Sequence, residues 1–239
     1  MDKSISITVL TWNDWENTVV CLESIFQNTY ENFDVVLINN GSEQHHIKKI
    51  YDWAANKIPV EDKEIKYNAN KKIQIIDITN SLIIPKKCNR NIYIINLKNN
   101  IGLARAVNLG FKFSIENKYD LSARIDCDFI VTKKYLENMS SMFINEKGIV
   151  AASPKIKHAY LRETVWWKGF NSTWSYLKFQ RTMNLKKKRI MDNKDYNGII
   201  ETDAVAGCCS FYKTEVFKIS GLEDDDFEFG PEDAELSFR

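Results

Sequence analysis

The chain has 239 residues, of which 44% are hydrophobic and 27% charged, a balance typical of a protein that folds around a buried core. Its formal net charge of +1 gives no general electrostatic attraction to nucleic acid or to an anionic membrane. The sequence contains no signal-peptide pattern and no apolar run near the ~20 residues that cross a bilayer, so we expect a cytoplasmic protein whose membrane contact would be peripheral, at the inner face.

Five cysteines are present, and their pattern bears on the compartment of the protein. The number is odd, Cys208 and Cys209 are adjacent, and no C-x-x-C pair occurs. Neither a disulfide framework nor a zinc site fits this pattern, so we expect reduced thiols, as in the cytosol. One basic run, at 186–189, stands out. It is typical of a solvated face, and contact with anionic lipid headgroups or a polyanionic acceptor is the alternative.

The first 60 residues predict a β-α-β unit, which favours a parallel pair of strands. Two short runs of apolar and β-branched residues are typical of buried strands, and each is followed by a polar break. Between them, apolar residues recur at helical spacing after Asp14, whose carboxylate can cap a helix. The predicted elements are a strand at 5–10, a helix after Asp14, a strand at 33–38 with a turn at 39–42, and a helix over 43–60.

The next 90 residues continue this alternation after an insertion. Residues 61–91 are rich in lysine and asparagine and contain one apolar run, at 73–78, which predicts one extra strand. The elements that follow are a strand at 92–97, a helix over 102–113, a strand at 121–125, a helix capped by Thr132 and a strand at 149–152. Strands that alternate with helices predict an α/β fold.

Residues 155–200 differ in character, because they are aromatic and basic. Their aromatic side chains either form the core of a subdomain or offer stacking surfaces to an acceptor sugar. The residues concerned are Trp166, Trp167, Phe170, Trp174, Tyr176 and Phe179. Beyond them we predict a strand at 204–212, a short helix capped by Thr214, a solvated acidic loop at 224–226 and a helix that begins at Pro231.

Two aspartates follow the predicted strand at 121–125. Asp126 and Asp128 would project to the same side of an extended chain, with Cys127 directed to the other side. Two carboxylates there could hold one hard cation that keeps positions open for substrate phosphates. The place agrees with the rule that ligands of open α/β sheets bind beyond the carboxyl ends of the strands. Taken alone, a D-x-D pair is more often a solvated turn.

Five short motifs occur in a fixed order along the chain. They are ISITVLTWN at 5–13, LINNGS at 37–42, NIG at 100–102 with NLG at 108–110, DCD at 126–128, and FGPEDAEL at 229–236. In this order they resemble the motifs of the inverting family-2 glycosyltransferases of the GT-A fold, and within them the rhamnosyltransferase-like group. The second motif departs from the family, which often has at least one aspartate where this chain has Asn39 and Asn40.

The resemblance implies a donor-binding role for eight residues: Thr11, Trp12, Asn39, Asn40, Asn100, Gly102, Arg105 and Asp126. Trp12 would stack on the nucleotide base; its alternative is a core tryptophan at a strand end. An amide oxygen of Asn39 or Asn40 can accept the N3–H of uracil or thymine as a carboxylate does. Arg105 would touch the diphosphate, and an exposed helix arginine is its alternative. Asp128, with Asp126, would hold Mn²⁺ or Mg²⁺.

The resemblance also implies a catalytic pair near the end of the chain. Asp233 matches the family's catalytic base, which takes the proton of the acceptor hydroxyl as its oxygen attacks the anomeric carbon. Glu232 is assigned to the catalytic site with it, in an orienting role. Its alternative is an acid favoured by the dipole at the start of a helix.

The resemblance therefore predicts an inverting glycosyltransferase. It would move a sugar from a UDP- or dTDP-sugar to a hydroxyl of a saccharide or lipid-linked acceptor, in bacterial-type surface polysaccharide synthesis. The alternative is a non-catalytic sugar-nucleotide-binding or scaffolding domain. A sugar nucleotidyltransferase or a dinucleotide-binding oxidoreductase would need a glycine-rich loop after the first strand, where this chain has Thr11-Trp12-Asn13-Asp14.

The resemblance predicts one GT-A domain over 1–239, with a mixed and mostly parallel central sheet flanked by helices. Residues 1–130 would form the nucleotide-sugar-binding half, with the insertion at 61–91, and residues 131–239 the acceptor and catalytic half. Family members continue well past the position of Arg239. We therefore expect a truncated chain or the first module of a longer protein, in which residues 230–239 are mobile because a short helix alone is marginal.

Overall fold

The structure is a computed structural model that describes residues 2–84, 89–146, 148–159, 161–169, 190–192, 198–227 and 230–239. The strands in these ranges are β1 Ile5–Thr11, β2 Phe33–Asn40, β3 Ile75–Asp77, β4 Ile92–Leu97, β5 Leu121–Ile125, β6 Ala151–Ala152, β7 Ile156–His158, β8 Leu161–Trp167, β9 Ile190–Met191 and β10 Cys209–Lys213. The α-helices are α1 Trp15–Phe26, α2 Gln44–Ala54, α3 Leu103–Glu116, α4 Tyr135–Asn145, α5 Phe217–Ser220 and α6 Glu232–Phe238.

The central sheet is mixed and mostly parallel, as the sequence predicts. Its strand order is β3-β4-β2-β1-β5-β10-β6 in the described part of the chain. Parallel pairs join β1 to both β2 and β5, and β4 to both β2 and β3. Strand β10 runs antiparallel to β5 and to β6. The α/β fold with a central sheet flanked by helices is therefore confirmed.

Helices cover both faces of the sheet, which explains why the central strands are buried along almost their whole length. Every residue of β2 is buried, so neither face of this strand meets water. Helices α1, α2 and α4 pack on one face, through side chains such as Leu22, Trp53 and Phe143. Helix α3 packs on the other, where Phe111 and Leu236 join it to α5 and α6.

Gly110 lets helix α3 lie directly on β1. A Cβ atom at this position would come within 2.1 Å of the Thr8 Oγ1 atom, so any larger residue would push the helix away from the sheet. The second glycine of the motif that spans 100–110 therefore serves packing. It fixes the height of α3 above the edge where the strands end.

Most predicted elements are present, with shifted ends. Asp14 caps α1 as predicted, because its carboxylate accepts the Asn17 N–H at 3.3 Å. Helix α2 ends at Ala54 instead of near residue 60, and α3 runs three residues beyond 113. Strand β2 continues through Asn39 and Asn40, which the sequence assigned to a turn.

Two predicted helix caps are wrong, and a tertiary contact replaces one of them. Helix α4 begins at Tyr135, and its second N–H, from Leu136, donates to the side chain of Asn28 at 3.0 Å. A remote asparagine thus does the work assigned to Thr132. Thr214 is a buried first residue of a short 3₁₀ turn at Thr214–Val216, and it makes no cap bond.

The sequence did not predict the second, small sheet formed by β7, β8 and β9. It lies in the aromatic segment, where Trp166 is exposed and Trp167 donates from Nε1 to Ser153 at 3.2 Å. The other aromatic residues named above, Phe170, Trp174, Tyr176 and Phe179, lie outside the described residues, as do Cys88 and the basic run at 186–189.

Helix α6 is tied to the rest of the domain. Leu236 is buried, and Arg239 donates to the backbone carbonyls of Ser220 and Leu222 at 2.6 Å each. Phe238, by contrast, is exposed. These contacts anchor the helix that carries Asp233, whereas the sequence alone predicted a mobile segment.

Candidate functional site

The carboxyl ends of β1, β2, β4 and β5 meet at one edge of the sheet, and most predicted site residues lie there. Trp12 follows β1 and is 56% exposed, so its ring faces solvent and is available for stacking. Thr11 is buried, and its hydroxyl bonds to that of Thr18 at 2.8 Å. The next residue, Asn13, has φ 53° and accepts the Glu43 N–H at 2.9 Å. The loop that presents Trp12 is thus fastened to the segment between β2 and α2.

The side chain of Asn39 belongs to a chain of hydrogen bonds across three strands. Its Nδ2 donates to Asn96 Oδ1 at 3.0 Å, and Asn96 Nδ2 donates to Asp77 at 3.0 Å. Its Oδ1 accepts the Ser42 N–H at 2.9 Å. A carboxylate can only accept, so Asp77 fixes the orientation of both amides. The oxygen of Asn39 keeps one acceptor position.

Asn40 and Asn100 hold two loops together. Asn40 Nδ2 donates to Asn100 Oδ1 at 2.9 Å, and Asn40 Oδ1 accepts the Ile101 N–H at 3.0 Å. Gly41 touches the same loop, since a Cβ there would lie 2.5 Å from the Asn99 carbonyl carbon. Gly102, with φ 90°, precedes α3 and donates to Asn100. These contacts give the motif residues a structural role beside the predicted donor-binding role.

Arg105 is exposed on the first turn of α3. Asn108, one turn further along, is buried and clamps the acidic loop. Its amide exchanges hydrogen bonds with the backbone of Glu223 at 2.8 and 3.1 Å, and it donates to Asp225 at 2.8 Å. The three aspartates of this loop are exposed, as predicted, and Asp225 also holds the loop to α3.

The D-x-D segment forms a turn and is not extended. Strand β5 ends at Ile125, and the Phe129 N–H donates to the Asp126 carbonyl at 3.1 Å. Asp128 is exposed, and Cys127 packs against the core. Partial desolvation, followed by the negative charges of Asp126 and Asp14, raises the pKa of Asp128. The turn still brings carboxylates together, although not by the geometry of a strand.

These carboxylates fit a divalent cation that is completed by substrate. The described residues contain no group of three or more ligand side chains that could enclose a metal ion. Magnesium, however, is commonly held by one or two carboxylates together with substrate phosphates. The negative charges of Asp126 and Asp14 repel that of Asp128, and a bound cation would reduce this repulsion. Asp128 and Asp126 are therefore suitable ligands for Mn²⁺ or Mg²⁺.

Arg124 lies behind the D-x-D turn at the centre of a buried ionic cluster. It is only 3% exposed; its Nε donates to Asp126 at 3.1 Å, and one terminal nitrogen donates to Glu223 at 3.1 Å and Glu232 at 3.3 Å. Burial alone would lower the pKa of Arg124, but the three carboxylates raise it overall. Sequence analysis missed Arg124 and Glu223. The available signal was a charge inside an apolar strand, which requires a buried partner.

Asp233 lies at the start of α6, opposite the D-x-D turn. Its Oδ2 accepts the Gly207 N–H at 2.8 Å, and its Oδ1 accepts the Ala234 N–H at 2.7 Å. The residue after Gly207 is Cys208, and its backbone carbonyl accepts the Asp126 N–H at 2.9 Å. One short backbone segment thus contacts both Asp126 and Asp233. Glu232 is buried and faces Arg124, a placement consistent with an orienting role.

Glu223 gives the stability of the fold a specific dependence on pH. Burial and the charges of Glu232 and Asp233 outweigh the attraction of Arg124, and the pKa of Glu223 is raised to about 8 from its ordinary value of 4.5. Between these two pKa values, the folded state keeps a proton that the unfolded chain releases. The free energy of unfolding therefore falls as the pH rises through this range, by about 1.4 kcal/mol for each pH unit.

We expect Glu223→Gln to remove this part of the pH dependence, because glutamine keeps the neutral shape. Urea unfolding at a pH of about 5 and of about 8 measures the slope. Asp226→Asn, in the exposed part of the same loop, is the control and should leave the slope unchanged. A Glu223→Gln protein with the wild-type slope would contradict the raised pKa.

No helix among the described residues is long and apolar enough to cross a membrane. No curated protein matches the chain in sequence. Solved structures share its fold at low identity. TarS 1-349 of S. aureus in complex with UDP is 15% identical, with a TM-score of 0.59, and the match covers 98% of this chain and 54% of that one.

Two further structures are similar to the same extent. The mannosyltransferase PcManGT from Pyrobaculum calidifontis, in complex with GDP-Man and Mn²⁺, is 13% identical with a TM-score of 0.60, over 99% of this chain and 51% of that chain. GalNAc-T7 with UDP, GalNAc and Mn²⁺ is 15% identical with a TM-score of 0.60, over 99% of this chain and 40% of that chain. This chain therefore spans about half of the length of these proteins or less.

The sequence itself matches the family model for glycosyl transferase family 2 over residues 79–216. This region contains α3, the D-x-D turn, Arg124 and the Gly207–Cys208 segment. The match extends over more than half of the chain, so the protein belongs to glycosyl transferase family 2.

Proposed function

We propose that this protein transfers a sugar from a nucleotide-diphosphate donor to a hydroxyl of a saccharide or lipid-linked acceptor, with inversion at the anomeric carbon. The observation that carries the proposal is the position of Asp233 across the Gly207–Cys208 segment from the D-x-D turn. One carboxylate can then act on the acceptor while the others face the donor phosphates. Solved structures of the same fold contain UDP, UDP-GlcNAc or GDP-Man, which supports a nucleotide sugar as the donor.

In the proposed reaction, Asp233 accepts the proton of the acceptor hydroxyl. The acceptor oxygen forms a bond to the anomeric carbon as the bond from that carbon to the diphosphate breaks. The nucleoside diphosphate leaves with the electron pair of the broken bond, and one displacement inverts the configuration. A divalent cation at Asp128 and Asp126, Mn²⁺ or Mg²⁺, would neutralise the charge of the diphosphate.

We assign the donor to the half of the domain over 1–130 and the acceptor to the half over 131–239. Trp12 would stack on the base, and the remaining acceptor position on Asn39 would bind the N3–H of a pyrimidine, so a UDP- or dTDP-sugar is our first choice of donor. A groove of about 690 Å³ adjoins α6 and includes Lys155, Glu201 and Ser237 in its lining, and we propose it for the acceptor.

The finer parts of the proposal rest on the likeness of the five motifs. These finer parts are a rhamnosyl donor, a role in bacterial-type surface polysaccharide synthesis and a peripheral position at the inner face of the membrane. A sugar-nucleotide-binding domain without catalysis is the alternative. A transferase usually releases some sugar to water from its donor, whereas a pure binding domain leaves the donor intact.

The proposal is tested by a panel of nucleotides with and without manganese. We expect UDP or dTDP to raise the melting temperature more than GDP or ADP. Because base stacking on an aromatic ring contributes about 1–3 kcal/mol, Trp12→Ala should weaken binding of the preferred nucleotide by roughly 5- to 150-fold. Isothermal titration calorimetry measures this loss.

Trp166→Ala is the matched control, since Trp166 is a similarly exposed tryptophan, 52% against 56%, on the small sheet. It should leave nucleotide affinity unchanged. A clear preference for a purine diphosphate would overturn the pyrimidine assignment. Equal losses in both variants would remove Trp12 from the donor site. Binding of the donor with no hydrolysis and no transfer to any acceptor would favour the binding domain.

A further inference from the structure

The side chain of Arg124 joins two segments that are about 100 residues apart in sequence. Its Nε binds Asp126 in the D-x-D turn, and a different nitrogen of the same guanidinium binds Glu232 at the start of α6. Glu223, from the loop before α6, shares that second nitrogen. The planar guanidinium has five N–H donors in a rigid fork, so the directions of these contacts are fixed relative to one another.

A backbone bridge runs parallel to this side-chain bridge. The Asp126 N–H donates to Cys208, and the adjacent Gly207 N–H donates to Asp233. Gly207 has no room for a side chain, since a Cβ atom would lie 2.6 Å from the Asp233 Cβ. The position of Asp233 relative to Asp126 is thus set from two sides, by the Gly207–Cys208 backbone and by Arg124.

The ionic cluster is a poor device for stability alone. One cation faces three carboxyl groups, and the second oxygen of both Glu223 and Glu232 is buried without a hydrogen bond to the described residues. Burial of charged groups is costly, and apolar residues often replace such clusters at no loss of stability. The geometry of the cluster is more informative than its stability, because the cluster links the D-x-D turn to the start of α6 across the candidate site.

We propose that Arg124 is a positioning residue that fixes Asp233 at its working distance from the D-x-D turn. The role is indirect: Arg124 acts through Asp126 and Glu232 and does not itself touch the substrates. This inference rests on the proposed function for its effect on catalysis. Its structural part, that Arg124 holds Asp233 against Gly207, is independent of any activity.

The amide hydrogen of Gly207 reports this structural part directly, since it is bonded to Asp233 Oδ2. In Arg124→Lys the charge remains, but a single ammonium cannot bind Asp126 and Glu232 in the directions of the fork. We expect exchange of the Gly207 amide with deuterated solvent to accelerate by about tenfold, as for the loss of one hydrogen bond of about 1.4 kcal/mol. Amides of β1 and β2 should keep their rates. Asp233→Ala removes the acceptor of this hydrogen bond, so it gives the exchange rate of the unbonded Gly207 amide.

Glu232→Ala is the second variant, used in case loss of the arginine fork prevents folding. It removes one arm of the bridge and leaves Arg124 paired with Asp126 and Glu223. It should also accelerate exchange at Gly207, whereas Glu232→Gln, which can still accept from Arg124, should restore slow exchange. Arg90→Met is the control, because Arg90 bonds Glu31 and nearby backbone carbonyls away from the carboxyl-end edge.

A kinetic split tests the catalytic part. In Arg124→Lys and Glu232→Ala, the affinity for the nucleoside diphosphate should stay within about threefold while kcat for transfer falls at least about tenfold. Unchanged exchange at Gly207 in both folded variants would overturn the inference, whatever the activity. Faster exchange with unchanged kcat would overturn the catalytic part of the role. Absence of transfer in the wild-type protein with every donor would instead refute the proposed function, and the exchange rates would still decide the structural part.

Discussion

Asp233→Asn is expected to lower the rate of sugar transfer by roughly 10²–10⁴-fold, the range typical for loss of a general base. Asparagine keeps the shape of aspartate and can still accept the Gly207 N–H, but it cannot take up the proton of the acceptor hydroxyl. Donor binding should therefore persist. Transfer rates at saturating donor, together with calorimetric affinities for the nucleotide, measure the two effects separately.

The matched control is Glu235→Gln, on the same helix. Glu235 pairs with Arg239 at 2.7 Å, whereas the Gly207 amide is bonded to Asp233, so loss of the Glu235 carboxylate should change transfer little. Donor affinity that disappears in Asp233→Asn, with an unchanged rate per bound donor, would instead move Asp233 into the donor site. Equal loss of transfer in both variants would point to a general weakening of α6.

Asp128→Asn is expected to weaken the binding of Mn²⁺ in the presence of a nucleoside diphosphate and to reduce transfer by roughly 10²–10³-fold. The reduction reflects the several kcal/mol by which a cation stabilises a phosphate leaving group, at about 1.4 kcal/mol per tenfold in rate. Titration of Mn²⁺ followed by electron paramagnetic resonance measures binding without any need for activity. The melting temperature should not fall, because Asp128 is exposed and its charge is repelled by Asp126 and Asp14.

Asp226→Asn is the control for a simple change in surface charge, since Asp226 is exposed in the acidic loop. It should leave the affinity for Mn²⁺ and the transfer rate unchanged. Removal of divalent cations by a chelator should lower the wild-type rate to the level of Asp128→Asn. A chelator-treated enzyme that keeps its full rate would show that Asp128 does not act through a metal ion.

The pattern of the sequence was sufficient for the fold class. Strands such as β2 are mostly apolar because helices cover both of their faces, and helices such as α1 repeat their apolar residues at helical spacing. The Asp14 cap was also predictable, because its partner lies three residues away. Each of these signals depends only on residues that are close together in sequence.

The motifs likewise located the candidate site, but not the partners of its residues. Asp128 and Asp233 could be named from their places in the motifs, and their roles remain proposals. The hydrogen bonds that occupy Asn39 and Asn40 were not predictable, since Asn96 and Asn100 lie about 60 residues away. The same holds for Asn28, which replaces Thr132 as the cap of α4 from 108 residues away.

The sequence by itself determined the β-α-β alternation and the buried strands, because both follow from short-range patterns of polarity. The D-x-D and E-D motifs were located through the resemblance to the family. Only the tertiary structure decided that Arg124 joins Asp126 to Glu232, and that Gly207 lies between Asp126 and Asp233. The physical reason is that a buried charge requires a partner but does not specify where in the chain the partner lies. That choice is made by the sheet order, which places β10, and with it the preceding Gly207–Cys208 segment, beside β5.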